Sequence, residues 1–466
     1  MLPAAHVCMT RPSIRLFRLN RNTARPDPNS GACLWHAPSC LCLAMRLAMP
    51  FYPSYRRLSL SYRAVIAALL LGSSCAQADF AIPGFELVHT VPVGSDLQTP
   101  DLRAPGEVWR ELFDWARERI DIEQFYVADH AGSVMDKVLE SLTAAGQRGV
   151  KIRFLLEEKG LKLSDPQTLE RLRAIPNLTL RVLPYAKLTG SGIIHAKFLV
   201  VDGRQAFIGS QNFDWRSLEH IHETGLRIDE PTIVGQTQAI FDQDWLAQAA
   251  ITEGKPVPLP RPINSALPDG NYLIASPQRY NPPGVVDSQT ELPRLLAQAK
   301  REVRVQLLDY APLSYGSDKT RPYYAVIDNA LRSAAARGVS IKLMVSDWNT
   351  GMPEVAYLKS LALVPNVQVR IVTLPMAEQG FIPYARVIHS KTMDIDDQVA
   401  WVGTSNWLGG YLDNSRNLEV VMHDSSMARR IGQLHEQLWD GPYAKPIDIN
   451  RDYPEPHPGQ LNAAPH

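Results

Sequence analysis

The 466-residue chain carries 48 basic and 48 acidic side chains, and its 45% hydrophobic and 21% charged content reads as globular, with length for two or three core-forming units. Neutrality hides an asymmetry: residues 1–78 hold nine arginines, no lysine and one acid (Asp27), leaving 39 basic and 47 acidic residues, a net of about −8, in the body. A body of that sign has no general attraction for nucleic acid or anionic lipid, so an anionic substrate must be captured by a local patch.

All five cysteines (Cys8, Cys33, Cys40, Cys42 and Cys75) precede residue 79. The body therefore has no disulfide framework, thiolate metal site or cysteine nucleophile. Residues 1–44 have no helical or strand period and are expected to be untranslated or disordered, with a start at Met45 or Met49. Residues 45–78 then read as a signal peptide: Arg56, Arg57 and Arg63 precede the apolar run Ala64 to Leu71, and Ala76-Gln77-Ala78 offers a small-x-small cleavage site. The apolar core is shorter than the roughly 20 residues of a membrane span. The expectation is a periplasmic or secreted protein.

From about residue 87 the chain is one unit written twice. Each copy opens with an amphipathic helix running into an apolar strand: Val108 to Ala116 then Ile120 to Val127, against Leu292 to Ala299 then Val303 to Tyr310. A second helix ends in Arg148-Gly149-Val150 or Arg337-Gly338-Val339, with glycine as the stop signal before a strand. Further strands are expected at Leu178 to Leu183 and Val367 to Val372, and each copy closes with a helix bearing Trp245 or Trp439. Strands alternating with helices predict two similar α/β domains, 87–250 and 283–445, each a mainly parallel sheet flanked by helices and related by a pseudo-twofold axis. Residues 251–282 are Pro-rich and read as a linker. Residues 446–466 read as an irregular tail.

Two motifs carry the chemistry: His195-Ala196-Lys197-Phe198-Leu199-Val200-Val201-Asp202 and His389-Ser390-Lys391-Thr392-Met393-Asp394-Ile395-Asp396. Residues two apart in a strand share a face, so each histidine is expected to project beside its lysine. Lysine neutralises non-bridging phosphate oxygens, while histidine attacks phosphorus or moves a proton. Gly209 and Gly403 follow the histidines by fourteen residues, and Asn212 and Asn406 by seventeen. Recurrence at matched spacing weighs against chance. Glu223 and Glu419 lie in later apolar strands, 28 and 30 residues after the histidines, which reads as a small insertion in the second copy. A carboxylate behind an imidazole fixes its tautomer and raises its basicity. Asp202-Gly203 and Asp396-Asp397 read as hairpin turns, with a turn and ion-pair role for both aspartates. His220 and His222 are expected to face away from Glu223 on a solvated face rather than to bind metal.

These residues resemble the phospholipase D superfamily over about residues 87–443. Asn212-Phe213-Asp214-Trp215-Arg216-Ser217-Leu218, Ile382-Pro383-Tyr384-Ala385-Arg386-Val387 and Gly403-Thr404-Ser405-Asn406-Trp407 are similar to its branch of animal lysosomal exonucleases and poxvirus envelope proteins. The resemblance implies a phosphodiesterase working through a covalent phosphohistidine, with no cofactor or metal. It makes His195 the nucleophile and His389 the acid/base, an order that near-symmetry leaves open. Lys197, Lys391, Asn212 and Asn406 would hold phosphate, assisted by Ser210 and Thr404, and Glu223 and Glu419 would orient the histidines. The substrate is a phospholipid, as for a phospholipase or transphosphatidylase, or single-stranded nucleic acid, as for a 5′ exonuclease. Tyr126, Trp215, Tyr310 and Trp407 are candidates for stacking bases. An exported enzyme is compatible with peripheral membrane contact, and no stable protein partner is inferable. The alternative, a catalytically inactive phosphate-binding or envelope interaction module, predicts loss of a histidine or lysine in one copy; both copies are intact.

Overall fold

The computed structural model describes residues 79–260, 270–314 and 321–460. The expected export signal, residues 1–44 and all five cysteines lie outside them, as do part of the linker and the end of the tail. The strands of the first repeat are β1 (Ala81–Ile82), β2 (Phe85–Thr90), β3 (Arg119–Gln124), β4 (Val127–Ala128), β5 (Lys151–Glu157), β6 (Leu178–Leu183), β7 (Phe198–Val201), β8 (Gln205–Gly209), β9 (Phe213–Asp214) and β10 (Glu223–Ile228). Those of the second are β11 (Tyr272–Ser276), β12 (Val286–Asp287), β13 (Glu302–Gln306), β14 (Ser340–Ser346), β15 (Val367–Val372), β16 (Thr392–Ile395), β17 (Val399–Gly403), β18 (Asn417–Met422) and β19 (Ala444–Pro446). They form an eight-stranded sheet, β1-β2-β10-β8-β7-β3-β5-β6, a nine-stranded sheet, β12-β11-β18-β17-β16-β13-β14-β15-β19, and a separate parallel pair, β4-β9. From β2 and β11 onward the two orders correspond strand for strand, so the expected pair of similar α/β domains is what the chain forms.

The sheets are mixed, however, where mainly parallel ones were expected. Parallel pairing is confined to β3–β5–β6 in the first sheet and to β13–β14–β15 and the edge pair β11–β12 in the second. After each motif the chain turns straight back as a hairpin, β7–β8 or β16–β17, instead of crossing over through a helix. The linker is also shorter than its composition implied. The helix Pro231–Thr252 runs into it, and Tyr272–Ser276 is strand β11, between β12 and β18 in the second sheet.

Alternation along the strands explains how the sheets pack. Phe198 and Val200 of β7 point into a cluster shared with Leu273, Ala275, Ala400, Val402, Leu418 and Val420 of the second sheet. Leu199 and Val201 point the other way, into a cluster with Val108, Trp109, Leu112 and Phe113 of the helix Pro105–Trp115. Trp401 and Val421 do the same on the far face of the second sheet. The two sheets thus lie face to face over a common apolar layer, with helices outside. The closing helices, Pro231–Thr252 and Ser425–Trp439, feed that layer through Phe241, Trp245, Ile431 and Leu434. Each such side chain contributes about 1.5–3 kcal/mol of burial, so the repeats stabilise one another. In the tail, Ile447 and Tyr453 pack on the second repeat.

Asp202 and Asp396 occupy the hairpin turns in the left-handed region, at φ 53° and 59°. Among the described residues their carboxylates form no ion pairs, where the sequence led us to expect them. Asp202 accepts from the backbone N–H groups of Arg117, Glu118 and Arg119 at 2.8–2.9 Å, and Asp396 from those of Lys300, Arg301 and Glu302 at 2.7–2.9 Å. Each ties its hairpin to the helix-to-strand turn of its own repeat. Burial disfavours the charged form of Asp202, but the three N–H groups outweigh it and hold its carboxyl below the usual range. A depressed carboxyl stabilises the fold above its unfolded pKa and loses that stabilisation as pH falls through the folded pKa. Asp202→Ala should therefore cost about 1–3 kcal/mol at neutral pH, read as a lower urea midpoint. The deficit should shrink in acid, while turnover by folded protein stays unchanged.

Candidate active site

His195–Lys197 and His389–Lys391 are extended segments just before β7 and β16 rather than parts of those strands. Their backbone partners explain this, because each segment pairs with the opposite repeat. Ile194 bridges Arg416 and Ile388 bridges His222, both in the parallel sense. The His195 N–H donates to the Arg416 carbonyl (2.9 Å), and the His389 N–H to the His222 carbonyl (2.8 Å). Lys197 Nζ returns to the His195 carbonyl (2.5 Å) and Lys391 Nζ to the His389 carbonyl (2.6 Å). All four side chains are buried.

The groups behind the imidazoles also come from the opposite repeat, and they differ. His389 Nδ1 lies 3.1 Å from Glu223 Oε1, a carboxylate that also accepts from Ser217 (3.0 Å) and Ser210 (3.1 Å). His195 Nδ1 lies 3.1 Å from Asn417 Oδ1, which accepts from Thr404 Oγ1 (3.0 Å), while the Asn417 amide donates to the Tyr411 carbonyl (2.9 Å). Glu223 and Asn417 both lie 28 residues after the histidine of their own repeat, so the second copy has no insertion. Glu419 is therefore not the counterpart of Glu223, and it backs no histidine. Its Oε2 accepts from Ser288 (2.5 Å), and its side chain lies across Gly403, where an added Cβ would sit 2.2 Å from Glu419 Cγ. Ser210 and Thr404 are thus held on the backing groups, one step from the expected phosphate contacts.

Other expectations fare differently. Asn212 Oδ1, an acceptor, and Asn406 Nδ2, a donor, are buried without a hydrogen-bond partner among the described residues, which leaves those polar groups available to a ligand. Asn406 Oδ1 faces the Asp309 N–H at 3.4 Å. His222 is not on a solvated face. It is 1% exposed, its Nε2 meets His89 Nε2 (3.0 Å), and its Nδ1 meets Gln306 (3.0 Å) and Ser390 Oγ (3.2 Å). The second repeat covers it, which its own strand could not reveal. His220, also buried, contacts Gln379 at 3.2 Å. Among the described residues no group of three or more His, Cys, Asp or Glu is arranged to hold a metal ion. Tyr310 and Trp407 are core residues, whereas Tyr126 donates to Asp214 (2.6 Å) and Trp215 is half-buried beside the loop that precedes His389.

Arg416, next to Asn417, went unnoticed in the sequence. Buried completely, it spends all five N–H groups: two on Asp244 (2.6 and 2.9 Å), the rest on the Ser276 carbonyl, Asn281 Oδ1 and the Tyr280 carbonyl. Asp244 belongs to the first repeat, so this ion pair fixes the strand that carries Asn417. Its position, 27 residues after His389, matches that of His222 after His195.

The electrostatics are those of a buried cationic site. Burial, then the charges of Lys197 and Lys391, pushes both imidazoles well below the usual histidine value. Burial pushes Lys391 down to about 7 against the pull of Glu223 and Asp309. Burial and the neighbouring Lys391 depress Lys197 further. Glu223 is raised to about 8 by burial, opposed by Lys391 and by the two serine hydroxyls. Two lysines share one carboxyl group and burial opposes the charge of all three, so an entering anion favours the ammonium forms. With one imidazole protonated as the anion enters, the two histidines, two lysines and the Asn406 amide N–H can hold a tetrahedral oxyanion, attack it from one side and protonate a leaving oxygen on the other.

Comparison with known proteins agrees with this chemistry. Residues 110–245 and 292–439 match the family described as "Cardiolipin synthase, PLD-like domain", once per repeat. Phospholipase D Z of Dictyostelium discoideum is 30% identical over 394 residues, covering 78% of this chain and 90% of that one. The 5′-3′ exonuclease PLD3 of Xenopus laevis is 30% identical over 393 residues, 76% of this chain and 78% of that one. Among solved structures, a phosphatidylserine synthase of Haemophilus influenzae superimposes with a TM-score of 0.54 over 79% of this chain and 89% of that one, at 10% identity.

Because Lys391 has a lower pKa folded than unfolded, the unfolded chain binds more protons between about pH 7 and 10. The Lys391 contribution to the stability of the phosphate-free protein should rise with pH through that window, opposed below about pH 8 by Glu223, whose raised pKa makes the folded chain hold the extra proton. Inorganic phosphate favours the charged ammonium, so it should raise the melting temperature more near pH 7 than at about pH 9. Lys391→Met should melt higher than the parent without phosphate and ignore added phosphate. A variant that melts lower and still responds would refute the uncompensated-charge account.

Proposed function

The chain belongs to the phospholipase D-like family, and on that premise we propose that it cleaves phosphodiesters by two in-line displacements through a covalent phosphohistidine. The observation that carries this reading is the convergence of both histidine–lysine pairs on one buried site, each backed by the opposite repeat. An inactive binding module would not need two intact pairs with separate backing groups. The substrate is a phospholipid or a single-stranded nucleic acid. The leader, with its arginines, apolar run and Ala76-Gln77-Ala78, supports work outside the cytoplasm.

We assign His389 as nucleophile, reversing the order that the resemblance implied. A phosphorylated imidazole carries positive charge, and a carboxylate at Nδ1 stabilises it better than an amide does. His195, backed by the Asn417 amide, gives the more acidic imidazolium, which suits proton delivery. His389 Nε2 attacks phosphorus as the bond to the leaving oxygen breaks, and His195 supplies the proton that oxygen needs. His195, now neutral, takes a proton from water. The resulting hydroxide oxygen attacks phosphorus, the P–N bond breaks and His389 is regenerated. Lys197 and Lys391 balance the charge on the non-bridging oxygens, and the amide N–H groups of Asn212 and Asn406 donate to them. Transfer to an acceptor alcohol follows the same path with the alcohol in place of water.

A substrate whose leaving group needs no proton separates the roles. With bis(p-nitrophenyl) phosphate, His195→Ala should release one equivalent of p-nitrophenol and stall, with a p-nitrophenyl phosphoryl group on His389 detectable by mass spectrometry after an alkaline quench. His389→Ala should give no burst. Label found on His195 would overturn the assignment.

A further inference from the structure

Tyr323 is 56% exposed, yet it is fixed in place. Its backbone bridges Leu313, its hydroxyl donates to Asp328 Oδ2 (2.8 Å), and that carboxylate also accepts from Tyr310 (2.5 Å) and Arg332 (2.8 Å). One face of the ring stacks on Tyr357, with centroids 6.2 Å apart and planes at 27°. Tyr357 packs on a small cluster of Ala311, Leu313 and Leu408, and Tyr411 packs on the same cluster. The Tyr411 ring stands edge-on to His195, with centroids 4.5 Å apart. A row of tyrosines therefore leads from His195 to the surface and ends in an oriented ring.

We propose that this row is a subsite for the bases of a single-stranded nucleic acid whose scissile phosphate sits between Lys197 and Lys391. The inference rests on the phosphodiesterase reading of the site and names its substrate class. A flat, pre-oriented aromatic face suits a base, which loses little on stacking because the protein has already paid for the ordering of the ring. An acyl chain calls for an aliphatic groove; here the aliphatic side chains lie beneath the rings, and the outer edge carries the pinned hydroxyl of Tyr323. The negative body matters as well. With 47 acidic against 39 basic residues beyond residue 78, there is no surplus of cations to track a long backbone. Affinity comes instead from stacking plus one or two neutralised phosphates. The slope of log affinity against log salt should then be only about −0.7 to −1.4.

The test uses the full chain and Tyr323→Leu, Tyr357→Leu and Tyr323→Phe, each checked for an unchanged melting temperature. Each hydrolyses bis(p-nitrophenyl) phosphate, 5′-labelled oligo-dT and phosphatidylglycerol vesicles in parallel, with His389→Ala as the inactive control. The proposal expects the two leucine variants to lose about tenfold in kcat/KM on oligo-dT. They should match the parent on the small diester, and Tyr323→Phe should match it on both. Leucine variants that cut oligo-dT like the parent, or that lose equally on both substrates, overturn the subsite. A parent enzyme that hydrolyses the small diester and the vesicles but not oligo-dT also overturns it, while leaving the phosphodiesterase reading intact. A parent no faster than His389→Ala on all three substrates would sink that reading too.

Discussion

His195 and His389 owe their positions to a reciprocal exchange between the repeats: each motif backbone donates to a carbonyl in the strand region of the other half. That exchange fixes two extended segments side by side, and the side chains behind each imidazole arrive with it. Buried backbone groups must find partners, so the motif segments could not keep this conformation alone. The apolar layer between the sheets supplies most of the stabilisation, and these few hydrogen bonds set the register. The Arg416–Asp244 pair extends the same logic. A buried ion pair is costly unless every donor is satisfied, and here all five are, in a network that spans both repeats.

The cost of the site is electrostatic. Two lysines are held away from water with a single shared carboxylate, and burial opposes the charge on both. A fold selected for stability alone would place apolar side chains there. The arrangement makes sense for a protein that stores unfavourable charge until an anion enters, so that part of the binding energy is the relief of repulsion already built into the free protein.

Much of this was legible in the sequence, and the failures are instructive. The helix stops at Gly149 and Gly338 were readable because glycine at φ 92° and 91° is a local requirement. The histidine–lysine pairs were readable because they recur. Glu419 misled because matching the residue type of Glu223 took precedence over matching its spacing; the true counterpart, Asn417, is an amide that carries no catalytic signature of its own. His222 misled because its cover comes from a different repeat, and strand periodicity reports only which face a residue is on. The sense of the strands went wrong for a related reason: a helix between strands signals a crossover, but the hairpin after each motif pairs on both sides with further antiparallel strands, and together these outnumber the parallel pairs.

The difference between Glu223 and Asn417 has a meaning beyond the two imidazoles they touch. Two identical subunits meeting on a true twofold axis would present a substrate with two equivalent orientations, and each histidine would serve in either role at random. Fusing the halves into one chain frees each position to diverge, and a single carboxylate-to-amide change is enough to lift that degeneracy. The polarity with which such a protein reads its substrate is then a property of covalent linkage between the repeats, written into the fold before any substrate contact is made.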